Sequence, residues 1–186
     1  MWQSAGVPSP QSLSEEDRRR VAAWAADCAE RVLAVFEAEV PADDRARDAI
    51  DRARAFARGE LAAAGEIRRR FVAGRAAHAA ASPAGVAAAR AAAQAAGVAH
   101  MGAHALGAAA YAARAARLAP SGSDDAAEDE LAWQLQRITP DVASALRLLP
   151  RLGDDSAGPL GPGLLARGDL GEHIRRIQAA LLGTVA

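Results

Sequence analysis

Three histidines are the residues of this chain best suited to chemistry. His100 and His104 stand four positions apart in a stretch read as helix, which brings both imidazoles onto one face. His78, on the apolar line of the preceding helical unit, is the third candidate. Imidazole titrates near neutral pH, so this set could serve as general base and acid, with Asp27 on the first helix beside Trp24 as partner. The same set could hold a metal ion. However, there is no HExxH pattern, and no Asp or Glu lies between Arg90 and Arg114, so a carboxylate ligand would have to come from another helix. The spacing is equally that of a buried, hydrogen-bonded pair. The expectation is no metal, no cofactor and no assigned catalytic residue, with His78, His100, His104 and Asp27 as the candidates if chemistry occurs.

Other reactive or charged groups are weaker leads. The single cysteine, Cys28, excludes an internal disulfide and a multi-cysteine zinc site. It falls on an inward stripe, where apolar surroundings raise a thiol pKa and remove the thiolate. Arginine runs at 18–20 and 68–70, with Arg45, Arg47, Arg52, Arg54, Arg58 and Arg75, have Asp or Glu nearby and read as a solvated face of weak ion pairs. The acidic run Asp124, Asp125, Glu128, Asp129 and Glu130 could meet a basic partner, or simply open a helix, where carboxylates are favoured. No P-loop, GxGxxG, GxSxG or kinase signature is present.

The elements that must position these groups are all helical. Ser12 and Glu15 have capping-box spacing, and the helix they open runs to about Val40 with Val21, Trp24, Cys28, Val32 and Phe36 inward. A second helix from Asp43 or Asp44 to about Arg58 buries Ile50, Ala53 and Phe56, with Asp48 and Arg52 at ion-pair spacing. A third, Glu60 to about Ala80, aligns Ile67, Phe71, Gly74 and His78, with Glu66 and Arg70 paired outside. Ser82 and Pro83 form a helix entry, and helix is expected from there to Leu118 with a break or kink at Gly97. Beyond an acidic connector, helix resumes through Trp133, pauses at Pro140 and continues to Leu149. A terminal helix from Asp169 turns Leu170, Ile174, Ile177 and Leu181 inward. The expected fold is an all-α bundle of six to eight helices with an Ala-rich, close-packed core and no sheet. Residues 1–12 form a flexible lead-in, 13–150 the bundle, 151–168 a loop, and 169–186 a terminal helix on the same domain.

Composition agrees with that architecture. Of 186 residues, 53 are Ala, aromatics make up 4%, and the basic residues are all Arg. Ala favours helix and packs poorly on a pleated sheet. A formal net charge of −1, without aromatic residues interleaved among the arginines, argues against nucleic-acid binding. Residues Ala91 to Ala113 carry no Asp, Glu, Arg or Lys, long enough to span a bilayer, but they are mostly Ala and Gly with Gln94, His100 and His104 inside, so a buried bundle helix is expected. Met1 to Ser14 has neither a basic segment nor an apolar run, and the expected location is the cytoplasm.

Several segments together carry a resemblance. Trp24 to Glu37 (WAADCAERVLAVFE), Pro41 to Glu60 (PADDRARDAIDRARAFARGE), RAAHAAA, AHMGAHALGAAAYAARAA and ELAWQLQRI resemble the immunity proteins of bacterial polymorphic-toxin systems, in the immunity-family-five-like branch. These are small, helical, mostly actinobacterial proteins, and the likeness covers about Leu13 to Leu149. Phe56 stands where the family pattern has Trp, no proline follows Arg45, and the tail after Pro150 departs from the pattern. The resemblance implies a cytoplasmic, non-catalytic protein that binds and neutralises a toxin domain, with another protein as partner and neither nucleic acid nor membrane involved. The alternative is an enzyme, or enzyme subunit, of small-molecule metabolism that uses histidine acid–base chemistry and arginine anion binding. That reading requires a pocket between the first, third and fifth helical segments, lined by the histidines.

Overall fold

The computed structural model describes residues 9–123 and 125–183, which form eight α-helices and one short 3-10 turn, with no strand among them. Helix α1 (Glu15–Glu39) begins at Ser14, whose hydroxyl accepts from the Asp17 amide at 3.0 Å. The cap is therefore Ser14 with Asp17, two residues beyond the Ser12–Glu15 pair expected, and three acids fill the first turn, where the helix dipole favours them. Helices α2 (Arg45–Ala57) and α3 (Ala63–Ala76) follow, separated by a turn at Gly59 with φ +81°, a conformation that suits glycine. Helix α4 (Pro83–Gly97) has the Ser82 cap and first-turn proline that the sequence signals. Helices α5 (His104–Leu118), α6 (Ala126–Gln136), α7 (Pro140–Arg147) and α8 (Gly168–Gly183) complete the bundle.

The helical stretch expected from Pro83 to Leu118 breaks at Gly97, the position expected for a break or kink, and the break is a full reversal that makes it a hairpin. Residues 98–103 turn the chain, and α4 and α5 lie along each other with Arg90 beside Tyr111, Gln94 beside Gly107 and Gly97 beside His104. These pairs run in opposite directions along the two helices, which makes the packing antiparallel. A Cβ added at Gly97 would lie 2.9 Å from Cγ of the His104 ring, so the absent side chain makes room for the imidazole that opens α5. The uncharged run Ala91–Ala113 is thus divided between two helices, and no helix among the described residues is long and apolar enough to cross a membrane.

α1 runs through the middle, packed on α2, α4, α5 and α7. The buried surfaces of α4 and α5 are built largely from alanine, including Ala88, Ala91 and Ala92 on one and Ala105, Ala108 and Ala112 on the other. Small side chains let the backbones approach, so dispersion contacts between main chains compensate for the small area each methyl removes from water. Larger anchors sit around this alanine seam: Phe36, Ile50, Phe56, Leu106, Ile174 and Ile177 are at most 1% exposed. The inward stripe expected for α8 is buried as read, and α8 packs on α5, α6 and α7.

The described part of the lead-in is anchored. Gln11 is 1% exposed; its amide donates to Asp155 Oδ2 and to the Ala157 carbonyl at 2.7 Å, and accepts from the Leu160 amide at 2.9 Å. One side chain thereby ties the start of the chain to the loop after α7. Gly158 makes this possible: its φ is +76°, and a Cβ there would lie 2.8 Å from the Gln11 amide.

Candidate functional site

The three histidines singled out by spacing stand in three different settings. His104 opens α5, half-buried, with Nδ1 2.8 Å from Gln94 Oε1. Burial, with a smaller contribution from the charge of His100, lowers its pKa to about 4, so it is neutral at pH 7. His100 is exposed in the turn between α4 and α5, and His78 is exposed in the turn after α3. The shared helix face inferred for His100 and His104 is lost because residues 98–103 leave the helix. The apolar line drawn through His78 ends with α3 at Ala76. No group of three His, Cys, Asp or Glu able to hold a metal ion occurs among the described residues.

Asp27 is engaged elsewhere. Arg54 on α2 donates to its Oδ1 at 2.8 Å and also bonds Glu30, closing the α1–α2 seam. Cys28 is fully buried, and its thiol pKa is raised by burial first and by Glu130 and Asp27 next, so it is no nucleophile. Arg52 also bonds between helices, its Nε donating to Glu66 Oε2 of α3 at 3.0 Å, while the Arg70 side chain expected beside Glu66 lies outside the described residues. The other surface arginines are largely paired as expected, among them Arg19 with Glu15, Arg20 with Glu16, and Arg47 with Glu37.

The acidic run is divided by the fold. Glu130 is 3% exposed and accepts from Arg31 Nε at 2.8 Å. Glu128 takes Arg176 of α8, whose Nη2 donates to Oε2 at 2.6 Å, and this lowers the carboxyl pKa below its ordinary value. Asp125 and Asp129 are exposed, while Asp124 lies outside the described residues. The one-signed patch read from the sequence is thus reduced: one acid is in the core and another is neutralised.

Glu130 belongs to a buried polar node, whose central residues the sequence reading passed over. Gln134 is fully buried. Its side-chain nitrogen donates to the Ala109 carbonyl at 3.0 Å and to Glu130 Oε1 at 3.2 Å, and its main-chain carbonyl accepts from Trp24 Nε1 at 3.1 Å. Its side-chain oxygen is left to accept from Nε2 of His173, 2.8 Å away. Burial, and then the nearby Arg176 charge, lowers the His173 pKa to about 4. Arg31 also stacks on Trp133 at 4.1 Å from the ring centre. His173 could have been found in the sequence, since it stands three residues after Leu170 and four before Ile177, on the same inward stripe.

Two of the open concavities among the described residues bear on function. One, of about 490 Å³, is apolar and lies between α6, α7 and α8 against Leu135, Ile138, Pro140, Ala143 and Leu181, with the exposed Leu148 and Leu182 close by on the same helix ends. The other, of about 480 Å³, lies between α4, α5 and the start of α8, with Arg90, Arg114, Arg117 and Tyr111 on its walls. There Arg114 Nε donates to Asp169 Oδ2 at 2.9 Å and Arg117 Nη2 to the same oxygen at 3.1 Å. The paired arginines hold the Asp169 pKa at about 2.

Against known proteins, the model of the family described as Imm-5 like putative immunity protein matches residues 11–141. That span starts at the buried Gln11, takes in α1 to α6 and ends at the entry to α7, close to the Leu13–Leu149 limits of the resemblance read from the sequence. No curated protein and no solved structure matches the chain. With well over half of its residues inside that match, the chain belongs to the Imm-5 like immunity protein family.

Proposed function

We propose that this protein binds and neutralises a toxin domain by covering it, without catalysing a reaction, and that it does so in the cytoplasm. Membership of the immunity family carries this reading. The geometry supports it in two ways. His78, His100 and His104, the groups an acid–base mechanism would use, sit on separate turns or pack on a neighbouring helix. The apolar groove beside Leu148 and Leu182, flanked by Arg147 and Arg151, has the apolar centre and polar edge of a protein contact surface. Immunity by occlusion requires a rigid body with a complementary face, and a bundle tied by the buried Trp24, Glu130, Gln134 and His173 network provides that rigidity.

The test is titration of the purified chain into the toxin domain encoded beside its gene. Occlusion predicts that toxin activity falls linearly and reaches zero at one equivalent, with a stable complex on size exclusion. Leu148→Glu and Leu182→Glu should weaken the complex while leaving the helical spectrum intact. Full neutralisation at well below one equivalent would refute occlusion in favour of catalysis. Folded protein that neither forms the complex nor protects cells would refute the immunity reading.

A further inference from the structure

The arginine-lined groove between α4, α5 and α8 has more positive charge than its own carboxylate can balance. Arg114 and Arg117 converge on Asp169 from one wall. Arg90 stands on the other, and its hydrogen bond runs to the Tyr111 hydroxyl, 3.3 Å from Nη1, with no ion pair to it among the described residues. The Tyr111 ring, 3% exposed, forms the floor; the Arg90 and Arg114 guanidinium carbons lie 5.7 and 5.8 Å from its centre. Three guanidinium charges against one carboxylate leave two positive charges facing about 480 Å³ of open space. That volume falls in the range of small-molecule sites. The remaining wall is apolar: Pro83, Val86 and Leu118.

The start of α4 does not supply the anion-binding groups. Glu39 already accepts from the Ala81 and Ser82 amides, at 2.9 and 3.0 Å, so the guanidinium groups and the tyrosine hydroxyl are the donors that face the groove. Asp169 draws Arg114 and Arg117 together, and the planar forks of arginine suit an oxyanion with several acceptor oxygens. A carboxylate would neutralise one of the two surplus charges. A phosphomonoester, at roughly −2 near neutral pH, would neutralise both.

We propose that this groove binds a phosphomonoester with an apolar or aromatic body, the phosphate between Arg90, Arg117 and the Tyr111 hydroxyl, and the body against Pro83, Val86 and Leu118. The site is independent of the toxin-binding reading and is tested without any toxin. Phenyl phosphate is titrated calorimetrically into the full chain at low salt, with inorganic phosphate and benzoate as comparisons. The expected result is saturable one-to-one binding at least tenfold tighter for phenyl phosphate than for either comparison. Affinity should rise with pH through about 6, as the second phosphate proton leaves. Arg90→Ala and Arg117→Ala should each weaken binding at least tenfold with unchanged helicity. Absence of saturation by 10 mM phenyl phosphate, or unchanged affinity in both variants, would overturn the site. Benzoate binding as tightly as phenyl phosphate would overturn the phosphate assignment, and inorganic phosphate doing so would overturn the role of the apolar wall.

Discussion

The node around Gln134 and the groove around Tyr111 use the same residue types to opposite effect. Both place arginine on an aromatic ring and against a carboxylate: Arg31 with Trp133 and Glu130 in the node, Arg114 with Tyr111 and Asp169 in the groove. In the node, Trp24, Gln134, Glu130 and His173 are all buried and bond to one another or to the main chain. The groove is open, and its arginines outnumber its carboxylate. A closed, satisfied network stabilises one packing arrangement, whereas surplus charge facing a cavity leaves binding capacity unused. Arginine beside an aromatic ring is therefore no functional signal by itself. What separates the two is whether the donors are already matched.

The largest effect should come from breaking the node. Gln134→Leu strands the Ala109 carbonyl, Glu130 Oε1 and the His173 ring nitrogen together, and should cost about 3 kcal/mol or more, read as a lower urea midpoint.

Acid should act on the bundle next. His173 and His104 titrate near 6.5 when unfolded and near 4 when folded, so the folded state binds fewer protons between those values. Their contribution is complete above about pH 6.5 and is lost as pH falls to about 4. By then the stability lost through His173 amounts to roughly 3 kcal/mol. Urea midpoints between pH 7.5 and 4 should fall accordingly, and the slope should flatten in His173→Asn.

Smaller effects belong to the groove. Tyr111→Phe removes the hydroxyl that meets Arg90 and should cost about 0.5–1 kcal/mol of stability, with several-fold weaker phenyl phosphate binding. Arg90→Ala should change stability least, by no more than about 0.5 kcal/mol, while losing the ligand. If Arg90→Ala destabilised the fold as much as Gln134→Leu, the groove would be a second structural node and the contrast would collapse.

Reading the chain locally succeeded where the cause is local. The inward stripes of α1, α2 and α8 are buried as their three-and-four spacing implies, and Ser82–Pro83 opens α4 as its chemistry implies. It fell short at 98–103, where the break expected at Gly97 is present but helical register was carried on past it to His104. That error placed His100 and His104 on one face. Gly97 and Gly102 marked the turn, but propensity alone could not rank a kink against a reversal. The groove escaped notice for a related reason. Arg90, Arg114 and Arg117 stand outside the conspicuous arginine runs, and Asp169 lies beyond a long loop.

Helical class, the alanine seam, the inward faces and the family were determined by sequence alone, because helix propensity and a 3.6-residue period act over a single turn or two. Which charges are spent and which remain was decided only by tertiary structure. Gln134 finds His173, and Arg114 finds Asp169, across large gaps in the chain. Whether such groups are matched depends on which helix faces come together, and no window short enough to show a periodicity contains both partners.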